Sequence, residues 1–195
     1  MTYLALVLAA GSARRFGSDK LSAPLDGEPL IRHAIRAARA APVERVIVVA
    51  RPGLDIGAWP GDPVVETLHI ASPDLSTSLK AGIAAARDAG AKGAFVFLGD
   101  MPRVPHGEAA RLAAMMGDAY AALPRHEGRT GHPVLLSARA FADMAALSGD
   151  SGAGPLLKGR SDLVFDECPD PAIHFDVDRP EDLGWLASKG RSQKE

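Results

Sequence analysis

The chain has 195 residues, a formal net charge of −2, 5% aromatic residues and a single cysteine. That length suits one compact domain, able to bury roughly 70% of the surface its unfolded chain exposes. The absence of a basic excess and the scarcity of aromatics argue against nucleic-acid binding. A lone Cys168 excludes an internal disulfide and fits a reducing compartment.

Tyr3 to Leu8 is a short, uninterrupted apolar run that stops near Gly11, the pattern of a strand buried in a parallel sheet. Positive charge follows this run, whereas a secretory signal carries it in front. No apolar stretch reaches the roughly 20 residues needed to span a bilayer, so the expectation is a cytoplasmic protein with no membrane partner. From Pro29 to Ala40, Leu30, Ile31, Ala34, Ile35 and Ala38 recur at helical spacing with arginines on the other face, and Pro42 closes the helix. Val46 to Val49 and Val64 to Ile70 read as the second and third strands. Ser76 or Thr77 is placed to cap a helix that runs to about Ala89 and stops at Gly90. Ala94 to Leu98 is a fourth strand, ended by Gly99, Asp100 and Pro102. An alanine-rich helix covers about Gly107 to Met116, followed by strands over Tyr120 to Leu123 and Val134 to Leu136 around a polar loop. Ala138 to Leu147 reads as helical, Ile173 to Val177 as a late strand, and Pro180 as the first residue of a final helix. Met115, Met116 and Met144 read as packing residues, and the tail from Ser188 (SKGRSQKE) is expected to fray.

Strands alternating with helices imply crossover units and hence an α/β fold. The prediction is a three-layer, Rossmann-like sandwich with a mostly parallel sheet, in one domain over residues 1–187. Such sheets bind ligands beyond the carboxyl ends of their strands, and three polar clusters fall at predicted strand ends.

The first is LAAGSARRFGSDK, Leu8 to Lys20. Small residues let the backbone turn tightly and come close to a ligand. Successive N–H groups in such a turn form an anion cradle, with Arg14, Arg15 and Lys20 within reach. Glycines at 11 and 17 do not make a dinucleotide fingerprint, and no G-K-[ST] is present. On spacing alone a triphosphate cradle and a solvated turn stand level. The second cluster, LGDMP, sets Asp100 just past a buried strand, as a magnesium ligand or a turn residue. The third, FDVDRPEDL, places Asp176 and Asp178 on one face of the predicted strand. Asp178 is then a second metal carboxylate or a cap for the last helix. Glu181 and Asp182 suit the dipole of that helix.

In this order the motifs resemble the MobA-like nucleotidyltransferases, whose signature L-A-[AG]-G-x-x-x-R-[FM]-G-x-x-K is matched from Leu8 to Lys20. The likeness extends from Tyr3 to about Leu183. LAAG with RFG, STSLKAG (Ser76 to Gly82) and GHPVLL (Gly131 to Leu136) are similar to the molybdenum cofactor cytidylyltransferase branch. The resemblance implies a nucleotide-diphospho-sugar transferase-like fold and a Mg2+-dependent transfer of CMP from CTP to a molybdopterin-type acceptor, releasing pyrophosphate. It implies that Leu8, Ala9, Ala10 and Gly11 line the nucleotide, with position 10 influencing base choice. Arg15 and Lys20 would hold the phosphates, and Ser76 to Ser78 would lie near base or ribose. Asp100 would ligate magnesium with help from Asp178. His132 and the segment Gly149 to Gly154, including Asp150 and Gly152, would face the acceptor. Gly154 stands where that branch often carries an arginine, a place that Lys158 or Arg160 would have to fill. GTP, another phosphorylated acceptor, and a non-catalytic factor delivering cofactor to a client molybdenum enzyme are the rival readings; a nicotinamide oxidoreductase is disfavoured by the glycine spacing.

The remaining histidines lack H-x-x-x-H spacing, which argues against zinc. Ser12 and Ser18 lie in no G-x-S-x-G motif, and Cys168 has no neighbour that would lower its pKa.

Overall fold

The computed structural model describes residues 2–11, 16, 19–71, 74–147 and 152–191, with side chains in the last helix described as far as Leu186. The first strand, β1 (Tyr3–Ala9), explains its own composition. Ala5, Val7 and Ala9 enter one hydrophobic core, while Leu4, Leu6 and Leu8 enter another on the opposite face. A strand covered on both sides has no position for a polar residue, hence the unbroken apolar run.

A short hairpin, β2 (Pro24–Leu25) and β3 (Glu28–Pro29), leads into α1 (Leu30–Arg39). Then come β4 (Val43–Ala50), β5 (Val64–His69), α2 (Leu75–Asp88), β6 (Gly93–Leu98) and α3 (Glu108–Met115). The later half comprises β7 (Ala121–His126), β8 (Arg129–Thr130), β9 (Val134–Ser137), α4 (Phe141–Met144), α5 (Gly154–Leu157), β10 (Leu163–Glu167) and α6 (Pro180–Arg191). The sheet order is β10-β7-β9-β6-β1-β4-β5, with β8 paired to β7. β1 pairs parallel with β4 and β6, β4 with β5, and β7 with β10; β9 runs antiparallel between β6 and β7. Buried residues of α1, α3 and α6 share the core of Ala5 and Val7; those of α2, α4 and α5 share the core of Leu4 and Leu6. This is the three-layer, mostly parallel α/β sandwich that the strand–helix alternation predicts. After β1 the chain builds outward through β4 and β5, then crosses to β6 on the other side of β1. The order therefore reverses between β1 and β6, the point at which sheets of this kind form a crevice at the carboxyl ends.

Glycine permits two close approaches in this frame. A Cβ at Gly82 of α2 would lie 3.0 Å from Leu6 Cδ1 and 3.2 Å from Val49 Cγ2, so α2 rests directly on the sheet. A Cβ at Gly99 would lie 3.1 Å from the Leu8 carbonyl oxygen and 2.9 Å from Ile31 Cδ1, while the Gly99 amide donates to that same carbonyl at 2.9 Å. The ends of β1 and β6 are thus clamped together at the crevice. Gly99→Ala is expected to cost roughly 1–3 kcal/mol, as overpacking of a filled interior does; a urea melt measures it.

Several local expectations change. Asp74, rather than Ser76 or Thr77, is the N-cap of α2, so both hydroxyl residues lie within its first turn. No strand forms over Ile173 to Val177. Pro171–His174 is instead a 3-10 turn, stabilised where the Ala172 amide donates to Asp170 Oδ1 at 2.9 Å. The late strand is β10, which runs from half-buried residues into Asp166 and an exposed Glu167 and carries little apolar signal. Met116 and Met144 are buried, but Met115 is 42% exposed. The helix α6 continues through Ser188 to Arg191, beyond the start of the expected tail; 192–195 lie outside the described residues. The arginines on the outer face of α1 hold a covering loop. Arg32 stacks 4.4 Å from the Trp59 centroid and donates to the Ile56 carbonyl, and Arg39 donates to the carbonyls of Pro60, Gly61 and Asp62. Among the described residues no helix is long and apolar enough to cross a membrane.

Candidate functional site

The crevice between β1 and β6 collects residues far apart in the chain. Leu8, Ala9 and Ala10 leave the end of β1 with their side chains buried, so what they present outward is main chain. Gly11 is exposed, and an added Cβ there would meet nothing within 4 Å. Arg15 lies outside the described residues. The stem of the loop is described from Asp19. Asp19 is ion-paired with Arg51, which follows the last residue of β4, and accepts from the Ser22 hydroxyl at 2.6 Å. Burial raises the Asp19 pKa, but these hydrogen bonds outweigh it and hold the group below the usual carboxylate value.

Lys20 opens a 3-10 turn, Lys20–Ser22, and its ammonium reaches across the crevice. Its Nζ donates to Asp100 Oδ2 at 2.8 Å and lies 3.7 Å from Asp178 Oδ1. Residues separated by 80 and 158 positions in sequence therefore meet at one point. Asp100 follows β6 and the Gly99 clamp.

The C-terminal carboxylates arrive without a strand. The amide of Val177, a fully buried residue, donates to the main-chain carbonyl of Asp100 at 2.9 Å. With Val177 anchored in the core, its neighbours Asp176 and Asp178 stand beside Asp100. Carboxylate oxygens of Asp100, Asp176 and Asp178 lie within 4.8 Å of one another. Oxygen donors at that spacing suit a hard divalent cation such as Mg2+. Burial, then the like charges of Asp100 and Asp178, push the Asp176 pKa up, with Lys20 opposing. Asp176 is the member the sequence reading leaves out of the metal set; its signal was the Asp-x-Asp spacing itself. Asp182, in the first turn of α6, reaches back to accept from the amides of Asp178 at 2.9 Å and Arg179 at 2.8 Å, and the Asp178 carboxylate lies 3.7 Å from the Lys20 ammonium.

His132 stands at the start of β9. Because β9 is antiparallel to β6, its beginning lies on the same rim as the end of β6. His132 Nδ1 lies 3.3 Å from the Val96 carbonyl oxygen, so Nδ1 carries the hydrogen and Nε2 keeps its lone pair. Burial lowers the His132 pKa; the Val96 carbonyl and the charge of Asp100 pull the other way, and the ring is held neutral. The His132 amide donates to the Ile173 carbonyl at 2.9 Å, tying this loop to the chain that carries Asp176 and Asp178.

On the α2 side, Ser76 and Ser78 are buried, and the Ser78 hydroxyl donates to the Asp74 carbonyl at 3.2 Å. A Cβ at Gly152 would lie 3.1 Å from Leu75 Cδ2, so Gly152, just before α5, packs against the start of α2. Asp150 lies outside the described residues. An added Cβ at Gly154 would meet nothing within 4 Å, so the site of the expected arginine is open. Arg160 does not fill it. Its guanidinium lies 3.5 Å from the Tyr120 ring centroid and pairs with Asp162, at the strand starts and thus on the opposite rim from Asp100. Lys158 is exposed at the end of α5.

Cys168 forms no part of this site. It is buried, and burial first of all pushes its thiol up to about 11. A raised thiol pKa keeps the group neutral until the pH approaches that value. Iodoacetamide at pH 8 is therefore expected to leave the folded protein unmodified while the urea-unfolded chain reacts; mass spectrometry reads both.

The MobA-like NTP transferase domain family matches residues 5–187. The purine catabolism protein PucB of Bacillus subtilis is 28% identical over 94% of this chain and 95% of its own length. A protein of Opitutus terrae named as a probable molybdenum cofactor guanylyltransferase is 31% identical over 72% of this chain and 63% of its own. Among solved structures, the Mycobacterium sp. strain JC1 homologue of Mycobacterium tuberculosis rv0371c superposes with a TM-score of 0.83 at 29% identity, covering 98% of each chain.

Proposed function

From a chain that belongs to the MobA-like NTP transferase family, and is in that sense a nucleotidyltransferase, we propose a magnesium-dependent enzyme that transfers CMP from CTP to molybdopterin-bound molybdenum cofactor and releases pyrophosphate. The observation that carries this reading is the meeting of Lys20, Asp100 and Asp178 beside the end of β1, at the point where strand order reverses.

Transfer requires an acceptor phosphate oxygen to approach the α-phosphorus in line with the departing pyrophosphate. Such chemistry asks for alignment and charge neutralisation more than for protein acids or bases. The buried side chains of Leu8, Ala9 and Ala10 leave main chain to face the nucleotide, with Ala10 bearing on base choice. Lys20, and Arg15 with it, neutralise the triphosphate. Asp100 and Asp178, with Asp176 beside them, hold Mg2+, which when bound withdraws charge from the phosphate oxygens. Neutral His132 offers its Nε2 lone pair on the acceptor side, with Gly152 and Asp150 completing that wall.

CTP is favoured by the LAAG and RFG pattern of the loop, whereas relatives named as guanylyltransferases speak for testing GTP beside it. Labelled CTP and GTP are incubated with molybdopterin, and the dinucleotide form of the cofactor is sought. A labelled cytidine dinucleotide is the expected product. Labelled product from GTP alone would reassign the base, and no product from either would overturn the acceptor. The open position at Gly154 bears on the same point: Gly154→Arg is expected to lower the KM for the acceptor several-fold without changing that for CTP.

A further inference from the structure

Lys20 occupies the place where the proposed chemistry needs a different cation. Its ammonium is 2.8 Å from Asp100 and 3.7 Å from Asp178, inside the carboxylate group whose geometry suits a divalent ion. The backbone beneath it is fixed: Lys20 begins a 3-10 turn closed by the Ala23 amide on the Lys20 carbonyl at 3.1 Å. The residue before it is held by Arg51 and Ser22. Any change in what Lys20 neutralises is therefore a swing of its four methylenes, with the loop stem in place. The Lys20 side chain is 12% exposed, while the carboxylates it faces are more open, Asp100 at 25% and Asp178 at 47%.

A divalent ion held by these carboxylates would be bonded directly to their oxygens. An ammonium bonded to the same oxygens would then lie within a few ångströms of it, and the two cations repel strongly at that range in a partly buried site. One must leave unless another anion comes between them.

We propose that Lys20 is a built-in counterion of the carboxylate group, which it leaves only for the oxygens of an arriving triphosphate, so that nucleotide and divalent cation are taken up together rather than one after the other. This rests on the reading of Asp100 and Asp178 as metal carboxylates. The same lysine neutralises one cluster before binding and the polyphosphate after it. The coupling is thermodynamic: the affinity for the ion without nucleotide is reduced by the free energy of displacing Lys20.

The test uses Mn2+ alone, without nucleotide, on the full chain, with free ion counted by electron paramagnetic resonance. Lys20→Met removes the charge and keeps the length, and is expected to bind Mn2+ at least ten-fold more tightly than the wild type. Lys20→Arg keeps the charge and is expected to bind as weakly as the wild type. Adding Asp100→Asn to Lys20→Met is expected to abolish the gain, which locates it at these carboxylates. Should Lys20→Met melt below the assay temperature, Lys20→Gln replaces it with the same expectation. Equal Mn2+ affinity in wild type and Lys20→Met, or a gain that survives Asp100→Asn, overturns the proposal. Because no nucleotide or acceptor is present, failure here is separate from failure of the CTP reading, which the labelled transfer assay decides.

Discussion

Replacing Asp100 with alanine is expected to reduce turnover about a thousand-fold or more, which corresponds to roughly 4 kcal/mol of barrier, while the melting temperature stays within about 3 °C of the wild type. The two outcomes separate because of how the residue is built in. What the fold takes from Asp100 is its main chain: its carbonyl accepts from Val177, and the preceding glycine amide closes on β1. Alanine keeps all of that. What the chemistry takes is the carboxylate, which is 25% exposed, contacts Lys20 at 2.8 Å and shares its cluster with Asp176 and Asp178. Steady-state kinetics with a coupled pyrophosphate assay, beside a thermal melt, checks both halves. Wild-type rates in the variant would remove Asp100 from the mechanism.

Gly131→Ala is the complementary case, in which the fold fails first. A Cβ at this position would lie 2.4 Å from the Ile173 carbonyl oxygen and 2.8 Å from the Ile173 Cβ. A backbone atom and a fully buried residue cannot step aside as a flexible side chain can, so the segment after the Pro171–His174 turn has to shift. We expect a loss of about 3 kcal/mol, at the upper end of overpacking costs, and so a melting temperature lower by about 6–12 °C. The same shift passes along Ile173 to Val177 and hence to Asp176 and Asp178. Cation affinity should fall several-fold even at a temperature where the variant is folded. A variant with an unchanged melt would show that the 131–173 contact is slack.

These two residues also show what was legible from sequence. The regular framework was, because its signal is burial: β1, β6 and the Val46 to Ala50 part of β4 are apolar without alternation since both of their faces are covered. Asp100 was legible for the same reason, as a polar residue directly after such a run. The approach of the C-terminal carboxylates was legible only in outcome. An Asp-x-Asp pair was read on a strand that does not exist, and the pair converges because one amide between them bonds Asp100 and one valine is buried. Single long-range bonds of that kind leave no periodicity. β10 escaped notice because an edge strand ending in Asp166 and Glu167 buries too little to stand out. The covering loop over α1 was not legible because Arg32 and Arg39 hold it by main-chain carbonyls of residues 56 and 60–62, and main chain has no composition to read; Arg32 and Arg36 also bond the Glu28 carboxylate. Arg160 was available as a phosphate ligand only until topology set it at the far rim beside Tyr120.

The antiparallel course of β9 carries a further consequence. In a wholly parallel sheet every group on the ligand-bearing rim must come from a segment that follows a strand. Reversing one strand lets a segment that precedes a strand reach that rim, which is how His132 comes to stand near Asp100. On the proposed function the two substrates would thereby be served by separable stretches of polypeptide: residues 8–100 for the triphosphate, 131–154 for the acceptor, with Asp176 and Asp178 between them. A chimera that exchanges only the middle stretch with a relative should inherit that relative's acceptor preference and retain its own choice of base.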